Sequence, residues 1–200
     1  MLQIVRPDIV VPLAEYRPAP ELSATLRSAR LEPLREHEES APAPHERQPR
    51  PATAMALRAY TRPAGGEAPL AAGRFMSQPV TTLRLGATIG EARALFLSSG
   101  FQHLPLVDAA GRIAAMLSER DLLRAAPAVL AANPAAGTIA TREVLVCRAD
   151  TAVDLVASAM LEHHFGGVPV VDGALRVLGI LTHSDILRAL LLHAPGGLQA

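Results

Sequence analysis

The sequence lacks lysine and tryptophan altogether, and aromatic residues make up only 3% of its 200 positions. All 19 basic residues are arginines, and 19 acidic residues balance them. Proteins that bind nucleic acids neutralise phosphates with a surplus of basic side chains and stack bases on aromatic rings. Because this chain has neither resource in quantity, we expect no nucleic-acid partner.

Cysteine and long apolar runs are also scarce. The single cysteine, Cys147, excludes an internal disulfide and fits a reducing compartment. It lies in the apolar run VLVC, where a thiol usually behaves as a small hydrophobe. No stretch reaches the roughly 20 apolar residues that span a bilayer, and Arg6, Pro7 and Asp8 interrupt the apolar start before a secretory signal develops. We expect a soluble, cytoplasmic protein without a membrane partner.

Proline is abundant but unevenly placed, because 11 of the 17 prolines precede residue 74. Each proline removes a backbone donor and disfavours helix at the residue before it. Residues 1–73 are therefore predicted to form a mostly irregular, partly disordered arm, with brief helices within 21–32 and 53–60.

The rest of the chain contains an internal repeat. Shifting the sequence by 64 residues places residues 76–125 on residues 140–189 without a gap, and 14 of the 50 positions are identical. A repeat of this size indicates a duplicated supersecondary unit. Neither copy has a large core of its own, so we expect the two to pack together.

Each copy predicts the order strand, helix, strand, strand, helix, which gives an α+β fold. The first strands are VTTL (80–83) and VLVC (144–147), and the helices that follow them carry apolar residues at helical spacing. Pro105 and Pro169 interrupt the second strands, which predicts either a sheet edge or a site that opens the ladder. The predicted boundaries are 1–73 for the arm, 74–130 for repeat one, 131–193 for repeat two and 194–200 for a tail.

Each copy also has a hydroxyl and a carboxylate three residues apart at its last strand-to-helix junction. Ser118 and Asp121 occupy this place in the first copy, and Thr182 and Asp185 in the second. The pattern is that of a capping box, which satisfies free amides at a helix start. The same junction also suits a phosphorylated ligand, and Gly179 would let one approach the backbone. Cap and ligand site both remain open interpretations.

No catalytic or metal-binding constellation is evident. His183, Ser184 and Asp185 are consecutive, and neighbours on a helix point in different directions and form no relay. His163 and His164 cannot both face one metal ion, and no phosphate-binding glycine-rich loop is present. We expect a protein that is not an enzyme, with no metal site and no certain cofactor.

Residues 76–189 resemble a tandem pair of cystathionine-β-synthase-type (CBS) domains, also called a Bateman module. The resemblance is carried by FQHLPLVD…GRIAAMLSERDLLRA in copy one and FGGVPVVDG…RVLGILTHSDILRA in copy two. It implies two β-α-β-β-α repeats packed through their sheets as a pseudo-twofold pair, usually dimerising with a second chain. It also implies clefts that bind AMP, ADP, ATP or S-adenosylmethionine as regulatory ligands.

The resemblance carries functional residues over to both clefts. Thr182 would contact phosphate and Asp185 the ribose in copy two, and Ser118 and Asp121 would do the same in copy one. Arg120 and His183 would add phosphate contacts, although an exposed first-turn position explains them equally well. The remaining expected ligand-binding residues form the two adenine slots and the glycine approach: Thr82, Leu83, His103, Leu104 and Pro105, then Val146, Cys147, Gly167, Val168, Pro169 and Gly179.

Two functions compete at this point. The first is a ligand-sensing regulatory module, which the doubled motif favours, acting on an unknown protein partner. The second is a ligand-free dimerisation scaffold in which both motifs are only helix caps. Copy one has Ala115 where copy two has Gly179, so the first cleft is expected to be the tighter one.

Overall fold

A computed structural model describes residues 1–6, 9–15 and 70–192 of the chain. Eight strands and five α-helices lie in these ranges, joined by short 3-10 turns at Leu13–Glu15, Ala72–Arg74 and Ala136–Thr138. In chain order they are β1 (Leu2–Arg6), β2 (Ile9–Pro12), β3 (Leu83–Arg84), α1 (Ile89–Ser99), β4 (His103–Val107), β5 (Ile113–Ser118), α2 (Glu119–Arg124), α3 (Pro127–Ala132), β6 (Val144–Cys147), α4 (Val153–His163), β7 (Gly167–Val171), β8 (Val177–Thr182) and α5 (His183–Leu192).

The predicted α+β fold of two similar repeats is confirmed. Repeat one forms a three-stranded sheet in the order β3-β4-β5, and repeat two contributes β6-β7-β8 to a five-stranded sheet. In both repeats the first two strands run parallel and the last two run antiparallel. The first strand of repeat one is shorter than predicted, because only Leu83 and Arg84 are paired while Thr81 and Thr82 are exposed.

Helix α1 begins and ends at residues that the sequence pattern favours. Thr88 and Glu91 form a capping box at the start of α1, which ends at Gly100 in a left-handed conformation with φ 69°. Helix α4 ends at His164, also left-handed with φ 57°. The apolar faces predicted for both helices are buried, and this burial fixes each helix against its sheet.

The two strand prolines lie in central strands, so the sheet-edge alternative is wrong. Pro105 pairs with Met116 and Pro169 with Ile180 across the antiparallel ladders. On the parallel side, pairing begins one residue after each proline, at Leu106 and Val170. At the position of each proline, the neighbouring parallel strand is not yet paired. The missing proline N–H therefore leaves no carbonyl of that strand without its donor.

The beginning of the N-terminal arm is regular, which differs from the predicted irregular arm. Strands β1 and β2 form a hairpin, and β1 pairs antiparallel with β6 from Leu2↔Cys147 to Val5↔Val144. Ile4 is fully buried in the core of repeat two. The expected helices within 21–32 and 53–60 lie outside the described residues.

The two repeats exchange the segments that lead into them. Ala72 and Phe75, which lie ahead of strand β3, are buried in the core of repeat two. Ala136 and Ile139, their counterparts 64 residues later, pack in the core of repeat one. A further apolar cluster joins the faces of the two sheets; it contains Val5, Ile113, Met116, Val144, Val146, Val171 and Ile180. The repeats therefore share one continuous apolar interior.

Candidate functional site

A cavity of about 460 Å³ lies between the repeats, where strands β6 and β7 diverge. These parallel strands meet at Cys147↔Val170, and the opening lies ahead of this pairing. The start of β6 and the residues Gly166 and Gly167 line one side of the cavity, and the Ser118 junction of repeat one lines the other. Its volume falls within the range of about 300–1,000 Å³ typical of small-molecule sites.

Ser118 and Asp121 form the capping box that starts α2, and both line the cavity. Asp121 Oδ2 accepts hydrogen bonds from the Ser118 amide at 2.8 Å and from the Ser118 hydroxyl at 2.7 Å. Among the described residues, no hydrogen bond reaches Asp121 Oδ1. The motif is a helix cap as predicted, and it still has one carboxylate oxygen available to a ligand hydroxyl.

His103 lies at the centre of the site, half-buried against the backbone of repeat two. A Cβ added to Gly166 would clash with His103 Nε2, and one added to Gly167 would lie 3.3 Å from His103 Cγ. Because neither glycine has a side chain, the imidazole can pack against their backbone. Burial lowers the pKa of His103 below its usual 6.5, and the nearby positive charges of His183 and Arg120 lower it further, against the opposing effect of Asp121.

The remaining charged residues of the cavity come from four different elements. Besides Asp121 and His103, the cavity is lined by Glu119, Arg120, Arg124, Glu143, His164 and His183. Glu143 is held in a 2.6 Å ion pair with Arg6 of strand β1. The site thus combines an acidic group for hydroxyls with guanidinium and imidazole groups for an anion.

The matching motif of repeat two, Thr182 and Asp185, leaves no carboxylate oxygen available to a ligand. Asp185 is only 1% exposed, and its Oδ2 accepts bonds from the Thr182 amide (2.9 Å) and hydroxyl (2.7 Å). Its Oδ1 accepts bonds from the Ser77 hydroxyl (2.9 Å) and from Arg188 (3.3 Å). Both carboxylate oxygens are therefore occupied by this chain's own donors, in contrast to Asp121.

Gly179 does not open the second cleft, contrary to the sequence-based expectation. A Cβ at Gly179 would lie 2.6 Å from the sulfur of Met76, because residues 76 and 77 cross the strand at this point. Ser77 exchanges two backbone hydrogen bonds with Ile180, which hold the crossing segment in place. Ala115, the counterpart of Gly179, is buried in the core of repeat one and does not line the cavity.

The structure brings together only part of the predicted set. His103, Ser118, Arg120, Asp121, Gly167 and His183 line the cavity. The others lie away from it: Thr82 is exposed, Thr182 and Asp185 cap α5, and Leu83, Leu104, Pro105, Val146, Cys147, Val168, Pro169 and Gly179 are strand residues outside the lining. The cavity thus combines predicted residues of both copies, because the pseudo-twofold packing sets the Ser118 junction against repeat two.

Several lining residues were not identified from the sequence. They are Gln102, Met116, Glu119, Leu123, Arg124, Thr141, Glu143, Val144, Leu145, His164, Phe165 and Gly166. The sequence repeat makes His103 and Gly167 equivalent positions, 64 residues apart, and in the structure these two residues contact each other. A contact between equivalent positions marks the pseudo-twofold axis, and the residues around it then follow.

Cys147 lies in the environment expected of a small core hydrophobe. Cys147 is fully buried, and burial raises the pKa of its thiol to about 12, so it remains protonated and unreactive. Within residues 1–6, 9–15 and 70–192, no group of histidine, cysteine and acidic side chains is arranged to hold a metal ion. In the same ranges, no helix is long and apolar enough to cross a membrane.

A family model described as the CBS domain matches residues 72–128 and again residues 136–192. Among curated proteins, the L-aspartate semialdehyde sulfurtransferase of Methanocaldococcus jannaschii is 36% identical over 57% of this chain and 22% of its own length. The magnesium transporter MgtE of Thermus thermophilus is 33% identical over 60% of this chain and 26% of its own length. The chain thus spans about a quarter of the length of these two curated relatives.

Solved structures of similar fold include several with adenosine compounds. The CBS domain pair of protein MJ0100, in complex with 5′-methylthioadenosine and S-adenosylmethionine, has a TM-score of 0.55 at 32% identity and covers 60% of this chain and 94% of its own. The protein CBSX2 in complex with AMP has a TM-score of 0.56 at 26% identity, covering 61% and 96% of the two chains. The cytosolic domain of MgtE in complex with ATP has a TM-score of 0.52 at 30% identity, covering 61% and 49%.

Proposed function

Because this chain belongs to the CBS-domain family, we propose that it is a regulatory, non-catalytic module that senses an adenosine-containing ligand, AMP, ADP, ATP or S-adenosylmethionine. The ligand binds in the cavity between the repeats. One observation carries the proposal: Asp121 faces a cavity of about 460 Å³ with Oδ1 free of hydrogen bonds from the described residues. The adenosine ligands of the similar CBS structures support the choice of ligand class.

The cavity offers a separate place for each part of such a ligand. Asp121 Oδ1 accepts a hydrogen bond from a ribose hydroxyl, since an ionised carboxylate is an acceptor for such donors. The apolar side chains of Val144 and Leu145 and the backbone at Gly167 border the space for the adenine ring. Arg120 and His183 lie on the same cavity and supply positive charge for a phosphate group.

Binding in this position couples the two repeats, because the lining comes from both. A ligand that prefers one packing of the repeats shifts the population toward it, and coupling of this kind typically amounts to about 1–3 kcal/mol. A protein partner that contacts the pair then responds to the ligand. The single cysteine, which can form no internal disulfide, supports a reducing, cytoplasmic location for this regulation.

We also propose that the pair forms a homodimer through its helices. Helices α1 and α2 expose Leu97 (77%) and Leu123 (81%), and the equivalent residues Leu161 (39%) and Leu187 (60%) are exposed on α4 and α5. Leucines repeated at equivalent positions suit a two-fold interface that contacts a second copy. The double variant Leu123→Glu with Leu187→Glu should elute as a monomer in light-scattering chromatography, and an unchanged mass would refute this interface.

The ligand-free scaffold remains the second candidate, and the closed motif of repeat two favours it. Asp185 caps α5 and binds Ser77 and Arg188 with both of its oxygens. A CBS repeat in this chain can thus use its carboxylate entirely for structure. If Asp121 behaves in the same way, the module serves dimerisation and partner contact alone.

Calorimetric titration separates the two candidates. AMP, ADP, ATP and S-adenosylmethionine are titrated into wild type, Asp121→Ala and the matched variant Asp185→Ala, with circular dichroism used to verify folding. The sensor proposal expects binding by wild type, a loss of at least about tenfold for Asp121→Ala, and retained binding for folded Asp185→Ala. An absence of heat with all four ligands leaves only the scaffold. Binding that survives Asp121→Ala places the ligand elsewhere.

A further inference from the structure

Three histidines from separate parts of the chain line the cavity. His103 begins β4, His164 follows α4 and His183 begins α5. His164 and His183 are exposed and His103 is half-buried. Imidazole is the side chain whose charge changes between pH 5 and 8. The cavity that they line also contains the available carboxylate oxygen of Asp121.

We propose that these histidines make the cavity a proton-dependent site for a phosphorylated adenosine, with affinity that rises as the pH falls. The inference rests on the proposed function and adds to it the ligand's phosphate and the regulation of its binding. A protonated imidazole donates from both nitrogens and forms a charge-assisted hydrogen bond to phosphate, whereas a neutral one donates from only one.

The charges around His103 determine the direction of the effect. Asp121 and Arg120 of α2 and His183 of α5 act on it directly, and Glu119, Arg124, Glu143 and His164 line the same cavity. Burial and the positive neighbours lower the pKa of His103 below 6.5, so the ring is mostly neutral at pH 7. A phosphate placed beside it adds negative charge and raises that pKa. Binding near neutral pH is therefore accompanied by proton uptake.

Titration of the ligand's phosphate changes the affinity in the opposite direction. The sign of the pH dependence therefore distinguishes histidines from arginines as the phosphate-binding groups. A phosphate monoester has a second pKa near 6 and so becomes more negative between pH 6 and 8. Fixed arginines alone would then bind AMP more tightly as the pH rises. Histidines that bind the phosphate hold it less tightly as the pH rises, because they lose their positive charge over the same interval.

The test compares AMP with adenosine, which lacks the phosphate, on the full chain between pH 5.5 and 8. We expect the AMP affinity to fall at least about fivefold over this range, since one linked proton changes affinity by up to about tenfold per pH unit. Adenosine affinity should stay nearly constant. Calorimetry of AMP binding at pH 7 in buffers of different ionisation enthalpy should register proton uptake.

Two substitutions assign the effect to the cavity. His183→Gln changes an exposed first-turn residue, so folding is retained, and it should reduce both the pH dependence and the proton uptake for AMP. His163→Gln is the matched control at the end of α4, outside the cavity lining, and should leave both unchanged. His103→Asn should act as His183→Gln does if its circular dichroism spectrum matches wild type.

The outcomes separate this inference from the proposed function. If AMP binds with constant or increasing affinity as the pH rises, without proton uptake, the histidine inference is overturned while the sensor proposal stands. Adenosine binding without any AMP binding also overturns it, because the cavity then excludes phosphate. If neither compound nor any of the other adenosine ligands binds, the sensor proposal fails together with the inference.

Discussion

Replacing Gly179 by alanine tests the closed state of the second cleft. The new Cβ would lie 2.6 Å from Met76 Sδ, 2.9 Å from Met76 Cγ and 3.0 Å from the Ser77 carbonyl oxygen. The Met76 side chain can turn away, but the Ser77 carbonyl accepts a hydrogen bond from the Ile180 amide at 3.2 Å and is held in place. The crossing segment must therefore shift, and overpacking of this kind costs about 1–3 kcal/mol.

The matched control for this substitution is Gly86→Ala, because nothing lies within 4 Å of a Cβ at Gly86. Both variants remove one glycine and so lower the entropy of the unfolded chain alike, by about 0.4–1 kcal/mol in free energy. The difference between them isolates the steric effect at Gly179.

Unfolding by urea gives this difference directly. We expect Gly179→Ala to be less stable than Gly86→Ala by about 1–3 kcal/mol, with a Tm lower by roughly 2–12 °C for a chain of this length. Equal stability of the two variants would refute the reasoning, because it would mean that residues 76 and 77 do not cross the strand at Gly179 as described.

Three further predictions follow from residues described above. Ser77→Ala removes the hydroxyl donor to buried Asp185 and should destabilise the protein by about 1–3 kcal/mol in urea unfolding, whereas an unchanged midpoint would contradict this contact. Cys147, with its thiol pKa raised to about 12, should react with a thiol reagent at pH 8 only after unfolding, and rapid native labelling would disprove its burial. The hydrogen bonds from Thr88 lower the pKa of Glu91 below 4.5. The stability that its charge contributes is therefore present above pH 4.5 and is lost as the pH falls through the lowered pKa. Glu91→Gln should make the free energy of unfolding depend less on pH in this region.

The repeated part of the fold could be read from the sequence because its signals are local. Strands β4, β6 and β7 match the predicted segments, since short apolar runs between turn residues specify them. The helix starts at Ser118 and Thr182 follow from hydroxyl and carboxylate residues at capping distance. Because these signals involve residues within one turn or one strand, no knowledge of the tertiary structure is needed.

The site and the N-terminal hairpin depend on distant contacts, and the sequence pattern does not specify them. Nothing near Leu2–Arg6 indicates that this segment pairs with Val144–Cys147. The difference between Asp121 and Asp185 likewise depends on Ser77, which is 108 residues from Asp185 in sequence. The two S/T-x-x-D motifs look alike along the chain, yet only Asp185 accepts hydrogen bonds from Ser77 and Arg188 on its second carboxylate oxygen.

The pairing of β1 with β6 has a consequence for how the protein is made. Strand β1 leaves the ribosome about 140 residues before its partner, and Ile4 of β1 is fully buried in the finished structure. Contacts of such long sequence separation form slowly, and an unpaired apolar strand is prone to aggregation in the meantime. During synthesis β1 therefore stays unpaired until β6 has been made, and its apolar residues are exposed over that interval.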